Sequence, residues 1–299
     1  MRRNARVGVI ASVSASVMFG LTTLLTAALA PLTAEQVTSW RIVCIIVLMA
    51  VFFTFTRRWD DLVALLRRFR AHPVAGLLVL LFCSGIVTSQ LWVFIWGAMH
   101  GHALDVSLGY FLMPLMMVLV GRVIFHDQIN IWQLGAVVCA FVAVGLQVVF
   151  SGGISWVTAM IGFVYPVYFA MRRAWRLDDV TMFWLEMIVA SPLAVFVLIT
   201  PQVGAVLSQV GSGVWWSLLV LGVLSGVAMM AYILASTQLS LTVFGLLSYL
   251  EPMLLFVAAL LLGERPTPAD IAVYGLIAVA LVLLGISATR RSLPGEPAH

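Results

Sequence analysis

Three charged side chains stand inside long apolar runs of this chain: Arg41, Glu186 and Glu251. An ionisable group in hydrocarbon is costly, and one that persists there marks a functional site by default. Glu251 lies about ten residues into its run, roughly 15 Å deep at 1.5 Å per residue. Pro252 beside it lacks an N–H and frees a carbonyl from the helix ladder. A carboxyl group next to a broken ladder suits a cation, a proton or a substrate amine; the alternative is a structural acid held by a neighbouring helix. Arg41 and Glu186 enter their runs from opposite faces and are not expected to pair. Arg41 is suited to snorkel outward along its stem or to bind a substrate carboxylate.

Uncharged groups surround these three in the sequence. Gln90, Trp92 and Tyr110 lie deep enough to line a cavity for an aromatic or cationic solute, and Tyr165, Tyr168 and Tyr249 add hydroxyl donors. Trp96 is expected as an interfacial anchor. Pro114, Pro166, Pro192 and Pro252 fall mid-run, where proline kinks a membrane helix. Kinks around a midplane cavity suit gating. His100 and Asp105 form an H-x4-D pattern, the arrangement of a base oriented by a carboxylate. It stands in a very short loop with no companion motif, where Asp105 reads better as a helix N-cap. There is no P-loop, GxSxG or HExxH. Cys44, Cys83 and Cys139 have no metal-ligand spacing and read as buried thiols. No metal or cofactor is called for.

Membrane helices must position these residues. Hydrophobic residues make up 63% of the chain and charged ones 9%, and mean hydropathy is +1.12; a soluble core cannot absorb that much apolar surface, but a bilayer can. Apolar runs predict ten spans, near Val7–Leu29, Glu35–Phe55, Val74–Ala98, Asp105–Phe125, Ile129–Phe150, Ile154–Met171, Thr181–Thr200, Val214–Gln238, Leu241–Gly263 and Ala269–Thr289. The first is read as a retained span rather than a signal peptide. There is no lysine. Fourteen of the sixteen arginines fall in every second gap; Arg41 and Arg265 are the exceptions. This positive-inside pattern puts both termini in the cytoplasm and spends the positive charge on topology, leaving none for nucleic acid. Residues 57–73 read either as a basic amphipathic helix on the cytoplasmic surface or as a solvated loop, and 292–299 as a disordered tail.

The chain also repeats. Tyr110…Pro114, an apolar helix and His126-Asp127 recur as Tyr249…Pro252, an apolar helix and Gly263-Glu264. Trp40-Arg-Ile-Val matches Leu185-Glu-Met-Ile-Val more weakly. Five spans per copy is odd, so residues 1–150 and 151–291 would form two inverted repeats. The expected fold is all-α and integral to the membrane, with ten helices around a central cavity.

The stretch from Leu91 to Leu115, with Ser107-Leu-Gly-Tyr-Phe…Pro114 at its centre, closely resembles the RarD family of the EamA branch of drug/metabolite transporters. Arg41, Glu186, Pro192, Tyr249…Pro252 and Gly263-Glu264-Arg265-Pro266 also stand where that family would place them. The resemblance covers the whole chain. It implies a cavity opened alternately to each side, with the fifth and tenth helices packed peripherally or at a homodimer contact. The expected function is secondary transport, in the export direction, of a small polar or amphipathic metabolite such as an amino acid across a bacterial inner membrane. Proton coupling through Glu251 or Glu186 is part of that expectation. The alternatives are an acyltransferase-like enzyme using His100 and Asp105, and an amphenicol permease.

Overall fold

The computed structural model describes residues 4–26, 29, 32–100, 102–150, 152–200, 212–261 and 267–291. Arg265, the Gly263–Pro266 motif and the 292–299 tail lie outside them. The described residues form α1 (Ala5–Thr26), α2 (Ala34–Thr56), α3 (Trp59–Ala71), α4 (Pro73–Met99), α5 (Ala103–Val123) and α6 (Ile131–Phe150). Then follow α7 (Trp156–Ala159), a π turn (Met160–Val164), α8 (Tyr165–Ala174), α9 (Val180–Leu198), α10 (Ser212–Gln238), α11 (Leu241–Ser248), α12 (Leu250–Leu261) and α13 (Pro268–Arg291).

Eight of these helices are long and apolar enough to cross a membrane. The sixth and ninth crossings are each made of two pieces. In the sixth, Pro166 has no N–H to give to the carbonyl of Gly162 four residues back, and the chain widens into a π turn just before it. In the ninth, α11 stops at Ser248 and α12 restarts at Leu250, so Pro252 falls in a first turn, where a missing donor costs nothing. Pro114 and Pro192 instead stay inside continuous helices.

Local chemistry sets several other boundaries. Thr33 and Gln36 form a capping box at the start of α2. Ser155 and Ser240 cap α7 and α11. Arg57 ends α2 in the left-handed region (φ 54°). Of the two readings of residues 57–73, the helix is the one seen: α3 spans Trp59–Ala71, and Arg68 donates to the carbonyls of Trp175 and Arg176.

The arginine-bearing ends collect at one end of the bundle. The backbone N–H of Asn4 donates to Gln238, Arg173 to the carbonyls of Ser236 and Leu239, and Thr242 N–H to Asp127. Trp92, Trp96 and Trp156 gather at the other end.

Numbering the crossings one to ten, the first packs on the eighth and ninth, the second on the seventh and eighth, and the third on the sixth and seventh. The fourth packs on the sixth and ninth, and the fifth on the tenth. This set is unchanged when every crossing is exchanged with the one five places away. Glycines allow the closest approaches. A Cβ at Gly245 of α11 would stand 2.9 Å from the carbonyl oxygen of Pro114, and one at Gly109 of α5 would stand 2.7 Å from Cβ of Ile161. The α6–α13 pair packs through an alanine seam (Ala136, Ala140, Ala143) against Val273, Ile277 and Ala280, away from the centre.

Candidate substrate-binding site

A cavity of ≈ 30 Å³ lies between α1, α2, α4, α5, α8, α10 and α12, room for about two waters. Of the residues singled out in the sequence, Arg41, Gln90, Tyr110 and Glu251 line it, with Tyr165. Phe19, Thr22, Leu91, Phe94, Met229 and Tyr232 complete its described walls.

Arg41 enters from α2 and is 3% exposed. Its Nε donates to Ser225 Oγ of α10 at 3.1 Å, while its Nη1 has no hydrogen-bond partner among the described residues. Gly226 lets α10 come this close: a Cβ there would stand 2.7 Å from Cδ2 of Leu48. Glu251 occupies the first turn of α12, where the helix dipole favours a carboxylate. It is 4% exposed, and among the described residues no ion pair joins it to a cation. Among the described residues the cavity therefore holds a guanidinium with its Nη1 left over and a carboxyl with no ion-pair partner, and no ion pair joins the two. A buried charge without a partner is expensive, so both sides of the cavity are chemically unspent.

The neutral walls fix shape. Gln90 Nε2 donates to the carbonyl of Met160 at 2.6 Å, tying α4 to the first residue of the π turn. Tyr232 and Ser248 share a hydroxyl–hydroxyl bond of 2.8 Å just before the break between α11 and α12. Tyr110 stands edge-on to Phe94, and Tyr232 edge-on to Phe19, with ring centroids 5.6 and 5.7 Å apart. Aromatic faces around an unpaired carboxyl suit an ammonium group.

The structure puts other expected residues elsewhere. Glu186 does not reach the cavity. Tyr168 donates to its Oε2 at 2.7 Å and Arg172 Nη1 lies 3.1 Å from the same oxygen. Arg172 also donates to Tyr168 Oη and to the carbonyls of Leu177 and Asp179. Sequence reasoning counted Arg172 among the loop cations, yet it is 1% exposed. Its spacing from Tyr168, four residues on one helix face, was the signal available. Trp92 turns away from the cavity and donates to Glu35 at 3.0 Å. Tyr249 is buried between α5 and α13, beside Phe111 and Leu246. Pro192 is exposed on the outside of α9. His100 stacks on Trp96 and lies 2.9 Å from its carbonyl; His102, not His100, contacts Asp105, at 2.7 Å. Asp105 lies inside the first turn of α5, and His102 is the cap. The H-x4-D pair is therefore not assembled.

Residues 147–286, a stretch holding the last five crossings, match the EamA-like transporter family. The chain is 33% identical over 277 residues to an uncharacterized transporter of Pasteurella multocida, covering 92% of this chain and 94% of that one. A solved crystal structure covers 96% of this chain and 99% of its own, with a TM-score of 0.67 at 18% identity, and so shares the fold. The chain belongs to the EamA-like transporter family: it is a multi-pass membrane transporter and not an enzyme. Within that family it is RarD-like. It is 35% identical over 288 residues, 95% of each chain, to the chloramphenicol-sensitive protein RarD of Pseudomonas aeruginosa. The protein RarD of Escherichia coli is 23% identical over 290 residues, 96% of each chain.

Proposed function

We propose that this transporter moves a small zwitterion, an amino acid or a related compound, by alternating access, with the substrate carboxylate on Arg41 and its amine on Glu251. The observation that carries this reading is the pair of unspent charges facing one cavity. A ligand bearing both opposite charges satisfies both walls at once, and the aromatic rings cover the rest. The present cavity has room for about two waters, so the helices must part to admit a substrate.

Two five-crossing halves, residues 1–150 and 151–291, are proposed as the moving units. The exchange symmetry of the packing supports this, as does a family match over one such unit. Cytoplasmic termini are supported by the gathering of arginines at one end; a bacterial inner membrane and the export direction are proposed with them on the likeness to bacterial RarD proteins. Glu251 is the proposed proton carrier, since nothing else on the described residues holds its carboxyl.

The test is flux in proteoliposomes loaded with labelled amino acids. The parent should exchange a subset of them, and an imposed pH gradient should drive uphill movement. Glu251→Gln should lose the gradient-driven component, and Arg41→Met should lose flux altogether. Equal flux of a neutral amphenicol in parent, Glu251→Gln and Arg41→Met would favour the drug-permease reading instead.

A further inference from the structure

A second pocket lies outside the central cavity, between α2, α4 and α9, and is far larger, ≈ 530 Å³. Its lining is mostly apolar. Leu81 and Leu193, 48% and 63% exposed, stand at its mouth on the side of the bundle. Glu35 is the one charged residue on that lining, at the end of the bundle opposite the arginines, and accepts from Trp92 Nε1 at 3.0 Å. Inward from Glu35, Thr38 and Thr88 line the pocket, their Oγ1 atoms buried behind its wall. On α4 the lining runs from Leu81 to Trp92, about 16 Å of helix at 1.5 Å per residue.

We propose that this pocket binds a single-chain amphiphile with a cationic amine head, the head on Glu35 and the chain along α4 and α9. The polarity runs the right way for such a molecule. Among the described lining residues the only charge is negative and sits at the surface end, where a head group stays hydrated and a carboxylate–ammonium contact forms. The walls beyond are apolar and open sideways, as a chain entering from lipid requires. A volume of this order is that of a small-molecule site. None of its lining residues contributes to the central cavity, so the proposal stands apart from the zwitterion reading.

The experiment is native mass spectrometry of the full chain released from maltoside micelles, with decylamine, decanol and decanoate added in turn. Decylamine should add one equivalent and the other two should not. Glu35→Gln should weaken the adduct about ten-fold, as loss of a charge-assisted bond does. Gly85→Leu should also abolish it: Gly85 lines the pocket, and a Cβ there meets no atom within 4 Å, so the substitution fills the space without strain. Glu251→Gln should leave it intact. An amine-headed lysolipid that co-purifies with the parent, is absent from Glu35→Gln and is displaced by decylamine would make the source a lipid. Decylamine binding to an otherwise empty protein would make it a free amphiphile. Equal binding of decanol and decylamine, or an adduct unchanged by both Glu35→Gln and Gly85→Leu, would overturn the proposal. An adduct lost in Glu251→Gln would return the amine to the central cavity.

Discussion

The molecule buries two arginines and two glutamates to the same degree and uses them in opposite ways. Arg172 and Glu186 are joined, and their remaining hydrogen-bonding capacity is taken up by Tyr168 and by the carbonyls of Leu177 and Asp179. Ser84 also donates to the carbonyl of Glu186 at 2.7 Å. Arg41 and Glu251 are kept apart with groups left over. Burial alone therefore does not separate the two pairs; incomplete satisfaction at a cavity wall does. The first pair fastens the end of α8 to α9; the second is free to trade its partner for a ligand.

This contrast is open to direct attack. The largest expected effect is on the satisfied pair: Glu186→Ala leaves Arg172 buried and uncompensated, which should cost about 3–5 kcal/mol of stability. Chemical denaturation in detergent should show it. The double change Glu186→Leu with Arg172→Met should recover most of the loss. In the same assay Glu251→Gln should be neutral or stabilising, because it removes an unpaired buried charge. If both glutamates destabilise equally, the distinction between the two regions fails.

Next in size is the seam between the fourth and ninth crossings. Gly245→Val puts a Cβ 2.7 Å from Cβ of Met117 and 2.9 Å from the carbonyl oxygen of Pro114, and overpacking of this kind costs about 1–3 kcal/mol. Melting temperature should fall; an unchanged value would mean the two crossings part without penalty. A smaller effect is expected from Arg41→Lys. Charge is kept but the planar fork and its bond to Ser225 are lost, so ligand affinity should drop about ten-fold with stability unchanged, read by titration of the purified protein. The smallest belongs to Trp92→Phe, which should leave flux at the central site as it was, since the residue faces Glu35.

The apolar runs and the gathering of arginines could be read in the chain, because hydropathy and charge act over whole segments; the run ends were legible only to within a few residues where described helices show them. Arg41 and Glu251 stand out in the chain as charges at depth, and Tyr110 and Gln90 as an aromatic cluster and its neighbour; all four line the cavity. What could not be read is rotation. The helices are apolar on every side, so their sequences carry no phase that separates lipid from cavity. Gln90 and Trp92 show the consequence: two positions on one helix lie about 200° apart, and one faces the cavity while the other faces Glu35. Arg172 was misplaced because charge at a span end reads as loop, whatever its side chain does. The π turn before Pro166 was read only as a kink, since proline signals a break without saying how the chain resolves it.

The most direct measurement is calorimetric binding of the best-bound amino acid, beside its N-acetyl and its methyl ester forms. Blocking either end should abolish binding to the parent, and Glu251→Gln should no longer distinguish the free amine from the acetylated one. Either blocked form binding as tightly as the zwitterion would contradict the assignment of Arg41 and Glu251 to the two ends of the substrate.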